Sequence, residues 1–209
     1  MAVCLARFVR LSAAAVAMLA APLAARAQQF AALTPPAGYE TRAPIGWVDF
    51  CERNPADCQV PAMAAELVPL TAANWRTITR INTGVNRDIR AVSDKDLYGV
   101  TEHWTYPSAG KGDCEDIVLE KRRRLMQAGL PRQALLITVV RDLKGDGHAV
   151  LTVRTDRGDY ILDNQEAKVL NWDETGYRFI KRQSETHPNT WISLGGIDTG
   201  SSVAGMMRR

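Results

Sequence analysis

The hydrophobic pattern of this chain changes period once, and that change constrains the fold more than any other feature. Between residues 71 and 89 the apolar side chains Trp75, Ile78, Ile81 and Val85 recur at helical spacing, behind a Thr71 suited to capping the first turn. A second helical stretch opens at Asp113 and is stopped by Gly129 with Pro131 beyond it. Ile117, Val118, Leu125 and Ala128 fall on one side of it, and Cys114 projects to that side. The stretch 93–112 between them is rich in Asp, Gly, Pro and Ser and reads as a loop. From residue 134 onward the period is two, and 134–141, 148–154, 159–163 and 177–183 read as strands. Lys144-Gly145-Asp146-Gly147 and Thr155-Asp156-Arg157-Gly158 are turn sequences, which predicts antiparallel neighbours in a meander. Helices first, strands after and short connections between them define an α+β domain, with the Cys114 helix packed on an antiparallel sheet.

The ends of the chain read differently. Arg7 and Arg10 precede an apolar run from Leu11 to Leu23 that closes on Ala25-Arg26-Ala27, the pattern of an export signal spanning 1–27. The run is shorter than the roughly 20 residues a membrane span needs, so no insertion is expected once the signal is cleaved. The expected location is periplasmic or secreted. Removing 27 of 209 residues leaves 182, enough for one domain with a substantial core. Residues 28–45, with Pro35, Pro36 and Pro44, read as an extended arm, 46–194 as the domain, and 195–209 as a flexible Gly/Ser-rich tail. Three of the 26 basic residues lie in the signal, which leaves 23 against 23 acids. That balance excludes an electrostatic case for nucleic acid as a partner.

Three cysteines remain after the signal: Cys51, Cys58 and Cys114. An oxidising compartment favours a local bridge between Cys51 and Cys58, around Pro55, and leaves Cys114 as the odd thiol. Cys114 stands at the first turn of a helix, where unpaired N–H groups and the dipole favour negative charge and lower a thiol pKa. The same N–H groups are placed to donate to an oxyanion. His148 opens one strand and Asp163 ends the next, so hairpin pairing brings them together; imidazole would take the thiol proton and the carboxylate would orient it. The residues alone are equally compatible with a strand-end histidine and an aspartate that begins a turn.

The ordered blocks Gly112-Asp113-Cys114-Glu115-Asp116, Lys121, His148-Ala149-Val150-Leu151 and Leu162-Asp163-Asn164 resemble the bacterial transglutaminase-like cysteine proteinases, LapG-type periplasmic proteases among them. The resemblance covers about residues 70–185. It implies a papain/transglutaminase-like fold with Cys114 as nucleophile, His148 as general base and Asp163 as orienting carboxylate. It implies bound Ca²⁺ through Asp113 and Glu115; capping of the helix would select the same residue types. Lys121 falls on the apolar side of the helix and reads as a structural lysine. Trp104 is a candidate oxyanion donor, although packing is the commoner fate of such a residue. His103 and His187 read as solvated surface histidines.

The activity this implies is peptide-bond hydrolysis on a protein substrate. In LapG-type members that substrate is a large surface adhesin, sequestration is by an inner-membrane receptor, and the consequence is control of biofilm attachment. Fold-level likeness does not fix a substrate. Two alternatives stand beside it: acyl transfer to an amine, as in a transglutaminase, and a calcium-dependent binding module in which Cys114 is inert.

Overall fold

Strands that place apolar side chains on both faces require a sheet covered on both sides. The computed structural model describes residues 33–107 and 109–195, and the expected signal at 1–27 and most of the expected tail, 196–209, lie outside them. Strands β1 (Ala37–Thr41), β4 (Leu135–Arg141), β5 (Gly147–Thr155), β6 (Gly158–Leu162), β7 (Leu170–Asn171), β8 (Arg178–Gln183) and β9 (Trp191–Leu194) form one sheet in the order β1-β9-β8-β4-β5-β6-β7. Every pairing in it is antiparallel. The short strands β2 (Arg90–Ala91) and β3 (Lys111–Gly112) pair in parallel apart from it.

The expected meander holds for β4, β5 and β6 and fails for β8, which returns across the sheet to the free edge of β4. Phe179 and Ile180 of β8 are buried in different apolar clusters, so the strand needs neighbours and cover on both faces, which an edge position lacks. The reversal that sends it back is a turn at 172–174 closed by a capping box between Asn171 and Glu174, followed by Gly176 at φ +68°.

Five helices precede or flank this sheet among the described residues: α1 (Ile45–Arg53), α2 (Pro55–Cys58), α3 (Ala72–Asp88), α4 (Asp94–Tyr98) and α5 (Cys114–Gln127). The Thr71 hydroxyl caps α3 by accepting from the Asn74 N–H at 3.1 Å. The region 93–112 is not all loop. Ser93 accepts from the Asp96 N–H and starts α4, which Gly99 ends in a left-handed conformation.

Helix α5 is the centre of the molecule. Residues 115–122 and Leu125 are all buried, so the helix is covered nearly all round and not on one face alone. Ala128, which the spacing places on the buried side, is exposed, because the helix stops at Gln127 before it. Val118, Leu119 and Leu125 pack with Leu135 and Ile137 of β4, Ala149, Leu151 and Val153 of β5, and Trp47 and Phe50 of α1. A smaller cluster of Val140, Val150, Ile161, Phe179 and Leu194 fills the opposite face.

Charges carried into this core are mostly compensated. Arg122 Nε donates to the Leu135 carbonyl at 3.0 Å, and Glu120 accepts from Arg123 and Arg124 at 2.5 and 2.7 Å. Lys121 is the exception: it is fully buried and its Nζ has no hydrogen-bond partner. Burial pulls its pKa down to about 7, against a weaker opposing pull from Asp163.

Cys51 and Cys58 are joined in a disulfide that clips α1 to α2. Closing a loop of seven residues' separation contributes roughly 2.5 kcal/mol in the chain-entropy account. The double variant Cys51→Ser/Cys58→Ser is expected to lose about that much in urea denaturation, with wild type under reductant matching it. Lys121→Met is expected to stabilise. Because the folded pKa is lowered, the unfolded chain binds more protons between about pH 7 and the ordinary lysine value, so wild-type stability rises with pH across that window. The gain from Lys121→Met should be largest at and below pH 7 and shrink toward pH 10 in thermal melts.

Candidate active site

The start of α5 meets the sheet where β5 begins. Cys114 is the first residue of the helix, and the backbone N–H of Ala149 donates to its sulfur at 3.4 Å. The residue before Ala149 is His148, so chain connectivity alone puts the imidazole one position from that contact. Ala149 and Leu151 face the α5 cluster and Val150 the other. By strand alternation His148 shares the side of Val150, at the end of the sheet.

Register does the rest. Leu151 pairs with Leu162, so one step further Asp163 stands opposite Val150 and diagonal to His148 on the same face. His148 Nε2 and Asp163 Oδ1 are 2.8 Å apart, both side chains buried. Asp163 Oδ1 also accepts from the Gln165 N–H at 2.9 Å, and Oδ2 accepts from the Tyr177 hydroxyl at 2.6 Å. The Asp163 carbonyl accepts from Asn86 Nδ2 of α3 at 2.7 Å. Burial alone would raise the carboxyl pKa, but the hydrogen bond and charge of His148, with the Tyr177 and Gln165 donors, outweigh it and hold it below its ordinary value.

On the other side of Cys114 stands a group of acids. Asp94, Asp113 and Glu115 each present a carboxylate oxygen within 4.8 Å of the others. Asp113 occupies the N-cap position of α5 but makes no side-chain capping bond, and its Oδ1 is buried without a partner, as is Asp94 Oδ1. Asp94 Oδ2 accepts from the His103 N–H. Glu115 Oε2 accepts from the Cys114 S–H at 3.0 Å. Burial and the neighbouring carboxylate of Asp94 push Asp113 up to about 6, and burial with Asp113 and Glu102 pushes Glu115 well up.

Burial and these acids together reverse the expectation for the thiol. A helix N-terminus lowers a cysteine pKa, but burial first, then the charge and hydrogen bond of Glu115 and the charge of Asp113, raise that of Cys114 well above its ordinary value, and the Ala149 N–H only partly opposes them. Hard carboxylate oxygens crowded at this spacing, with Asp94 Oδ1 and Asp113 Oδ1 unpartnered, are a donor set suited to a hard cation.

Gly112 has a steric reason in the Gly-Asp-Cys-Glu-Asp block: a Cβ there would lie 2.6 Å from the Cβ of Asp116. Asp116 Oδ1 in turn accepts from the Thr105 N–H at 2.7 Å and ties the preceding loop to the helix start.

Trp104 is buried, packs edge-on against Trp47, and gives its indole N–H to Glu102 at 2.5 Å, so it is not aimed at an oxyanion. His103 is partly exposed, with its ring on Tyr98 and its backbone N–H donating to Asp94. Three residues of the site have no signal in the sequence reading. Asp94 lies 20 positions before Cys114 in a stretch read as loop, although Ser93 and Asp96 are a cap signature that could have revealed α4. Tyr177 reads as an ordinary strand start, and Asn86 as a polar position of an amphipathic helix.

The profile of the bacterial transglutaminase-like cysteine proteinases (BTLCP) matches residues 37–199. Among solved structures, calcium-bound LapG of Legionella pneumophila is similar at 20% identity and a TM-score of 0.51, over 65% of this chain and 78% of that one. Legionella pneumophila LapG is also matched at 22% identity and a TM-score of 0.49, over 60% and 71% of the two chains. A search of curated proteins returns no match. The profile spans more than three quarters of the sequence, and the fold is that of LapG: the chain belongs to the bacterial transglutaminase-like cysteine proteinases, a family of cysteine peptidases.

Proposed function

We propose that this protein is an exported protease in which Cys114 is the nucleophile, His148 the general base and Asp163 the orienting carboxylate. The observation that carries the reading is the junction of α5 and β5: a thiol at a helix N-terminus, the Ala149 N–H on its sulfur, and the adjacent imidazole held at 2.8 Å by a carboxylate. His148 Nδ1 takes the thiol proton as the sulfur attacks the scissile carbonyl carbon. Charge on the carbonyl oxygen is met by the free N–H groups that open α5. The imidazolium passes the proton to the leaving amine, the C–N bond breaks, and a thioester remains on Cys114. A water deprotonated by His148 then attacks the thioester, releases the acid product and restores the thiol.

Asp94, Asp113 and Glu115 are the residues that would hold Ca²⁺. The unpartnered buried Oδ1 atoms of Asp94 and Asp113 and the raised pKa values of all three acids support a cation there, as does the calcium-bound state of the LapG relative. Bound calcium would supply the positive charge that removes the repulsion raising the Cys114 pKa. The expected leader at 1–27 and the Cys51–Cys58 disulfide support a periplasmic or secreted location. Among the described residues no helix is long and apolar enough to cross a membrane. The substrate is a protein. The reading extends, on family likeness, to a surface adhesin whose cleavage releases a biofilm, under an inner-membrane receptor.

Cys114→Ala and His148→Ala are each expected to lower cleavage by on the order of 10³-fold or more, with incorporation of a labelled amine absent in wild type. Iodoacetamide alkylation of Cys114 tests the site without a substrate. Calcium should move the alkylation midpoint to lower pH, chelator should move it up, and His148→Ala should raise it in calcium. A midpoint indifferent to both metal and His148 would sink the reading.

A further inference from the structure

Tyr177 stands outside the three residues of the proposed triad and touches two of them. Its hydroxyl donates to Asp163 Oδ2 at 2.6 Å, on the oxygen that His148 does not use. Its ring stands edge-on to the imidazole, centroids 6.1 Å apart and planes at 89°. The carboxylate is thereby fixed at both oxygens, and rotation about its Cβ–Cγ bond would break a hydrogen bond at either end.

The residue is itself held in place. Thr175 Oγ1 accepts from the Tyr177 N–H at 3.2 Å and donates to the Trp172 carbonyl at 2.8 Å. The ring packs against the cluster of Val140, Val150, Ile161 and Phe179 on the face of the sheet away from α5. A cavity of about 200 Å³, lined by Asp142, Leu143, Gln165, Glu166 and Thr175, reaches Asp163, and Tyr177 forms part of its wall. Without the hydroxyl, water from that cavity has access to Oδ2.

We infer that Tyr177 is a positioning residue for hydrolysis: it locks Asp163 in the plane that aims His148 at Cys114 and keeps cavity water off the carboxylate. This rests on the triad reading above. Burial, with the hydrogen bond and charge of Asp163, raises the phenol pKa, so the hydroxyl stays a donor throughout the working range. Tyr177→Phe removes one oxygen and leaves the packing ring. A loosely held carboxylate no longer fixes the imidazole, and misplacement of about 1 Å costs up to about 10²-fold in such constellations.

The test is the pH profile of iodoacetamide alkylation of Cys114 in full-length calcium-loaded protein, for wild type, Tyr177→Phe, Asp163→Asn, the double variant and His148→Ala. Tyr177→Phe is expected to raise the midpoint toward that of His148→Ala and to slow alkylation at neutral pH by roughly tenfold. Because Tyr177 acts through Asp163, adding Tyr177→Phe to Asp163→Asn should change the profile no further. A lower melting temperature with the wild-type profile would assign Tyr177 to packing and overturn the inference, as would effects of the two substitutions that multiply. A His148→Ala profile identical to wild type would remove the triad reading and this inference with it, whereas a His148 effect without a Tyr177 effect removes the inference alone. Should either Asp163 variant fail to fold, the comparison of Tyr177→Phe with His148→Ala still decides.

Discussion

Burial of α5 against the sheet is the constraint on which the rest of the structure depends. Val118, Leu119 and Leu125 meet β4 and β5, α3 packs on another side, and Trp47 and Phe50 of α1 join the same cluster, so the helix has little freedom to slide or rotate. Fixing its axis fixes its first residue, and the sulfur of Cys114 is delivered to the one point where a strand of the sheet begins. The cost is visible in the polar groups carried inward. Arg122 and Glu120 recover hydrogen bonds, and Lys121 does not, so the core tolerates one unpaired amine in exchange for a helix buried nearly all round.

Two groups of side chains stand near the junction of α5 and β5 and differ in rigidity. Imidazole and carboxylate stand at the ends of adjacent strands whose register holds them together: a slip of one residue of either strand against the other would put the two side chains on opposite faces. The acids are assembled otherwise. Asp113 and Glu115 are placed by the helix start, but Asp94 comes from a five-residue helix tied down through His103 and flanked by the short β2–β3 pair. Like charges brought together in a largely buried setting repel.

How much of this was legible in the sequence follows from the range of each interaction. The Thr71 cap, both long helices and strands β4 to β6 rest on local periodicity and turn chemistry, and they lie where the pattern puts them within a residue or two. The Cys51–Cys58 bridge was legible from compartment and spacing. The position of β8 was not, because pairing with β4 rather than β6 is decided by burial on two faces, which a period-two pattern does not distinguish. Asp94 and Tyr177 were hidden for the same reason: each reaches the site across the fold, from a segment whose own pattern is ordinary. The raised thiol pKa was hidden differently, since the helix dipole is a local effect that the sequence displays, and burial of the sulfur against the carboxylates of Glu115 and Asp113 is not.

That last contrast bears on how such a site is controlled. If helix position alone set the reactivity of Cys114, the thiol would be activated wherever the protein folds. Here the sulfur is buried and the same backbone geometry carries Asp113 and Glu115, so desolvation first and the acids second outweigh the dipole. A group that neutralises those carboxylates leaves burial of the sulfur opposed by the dipole and the Ala149 N–H. The fold therefore separates building the site, which the sheet and α5 accomplish, from poising it, which rests on the charge state of acids that neither strand register nor core packing determines.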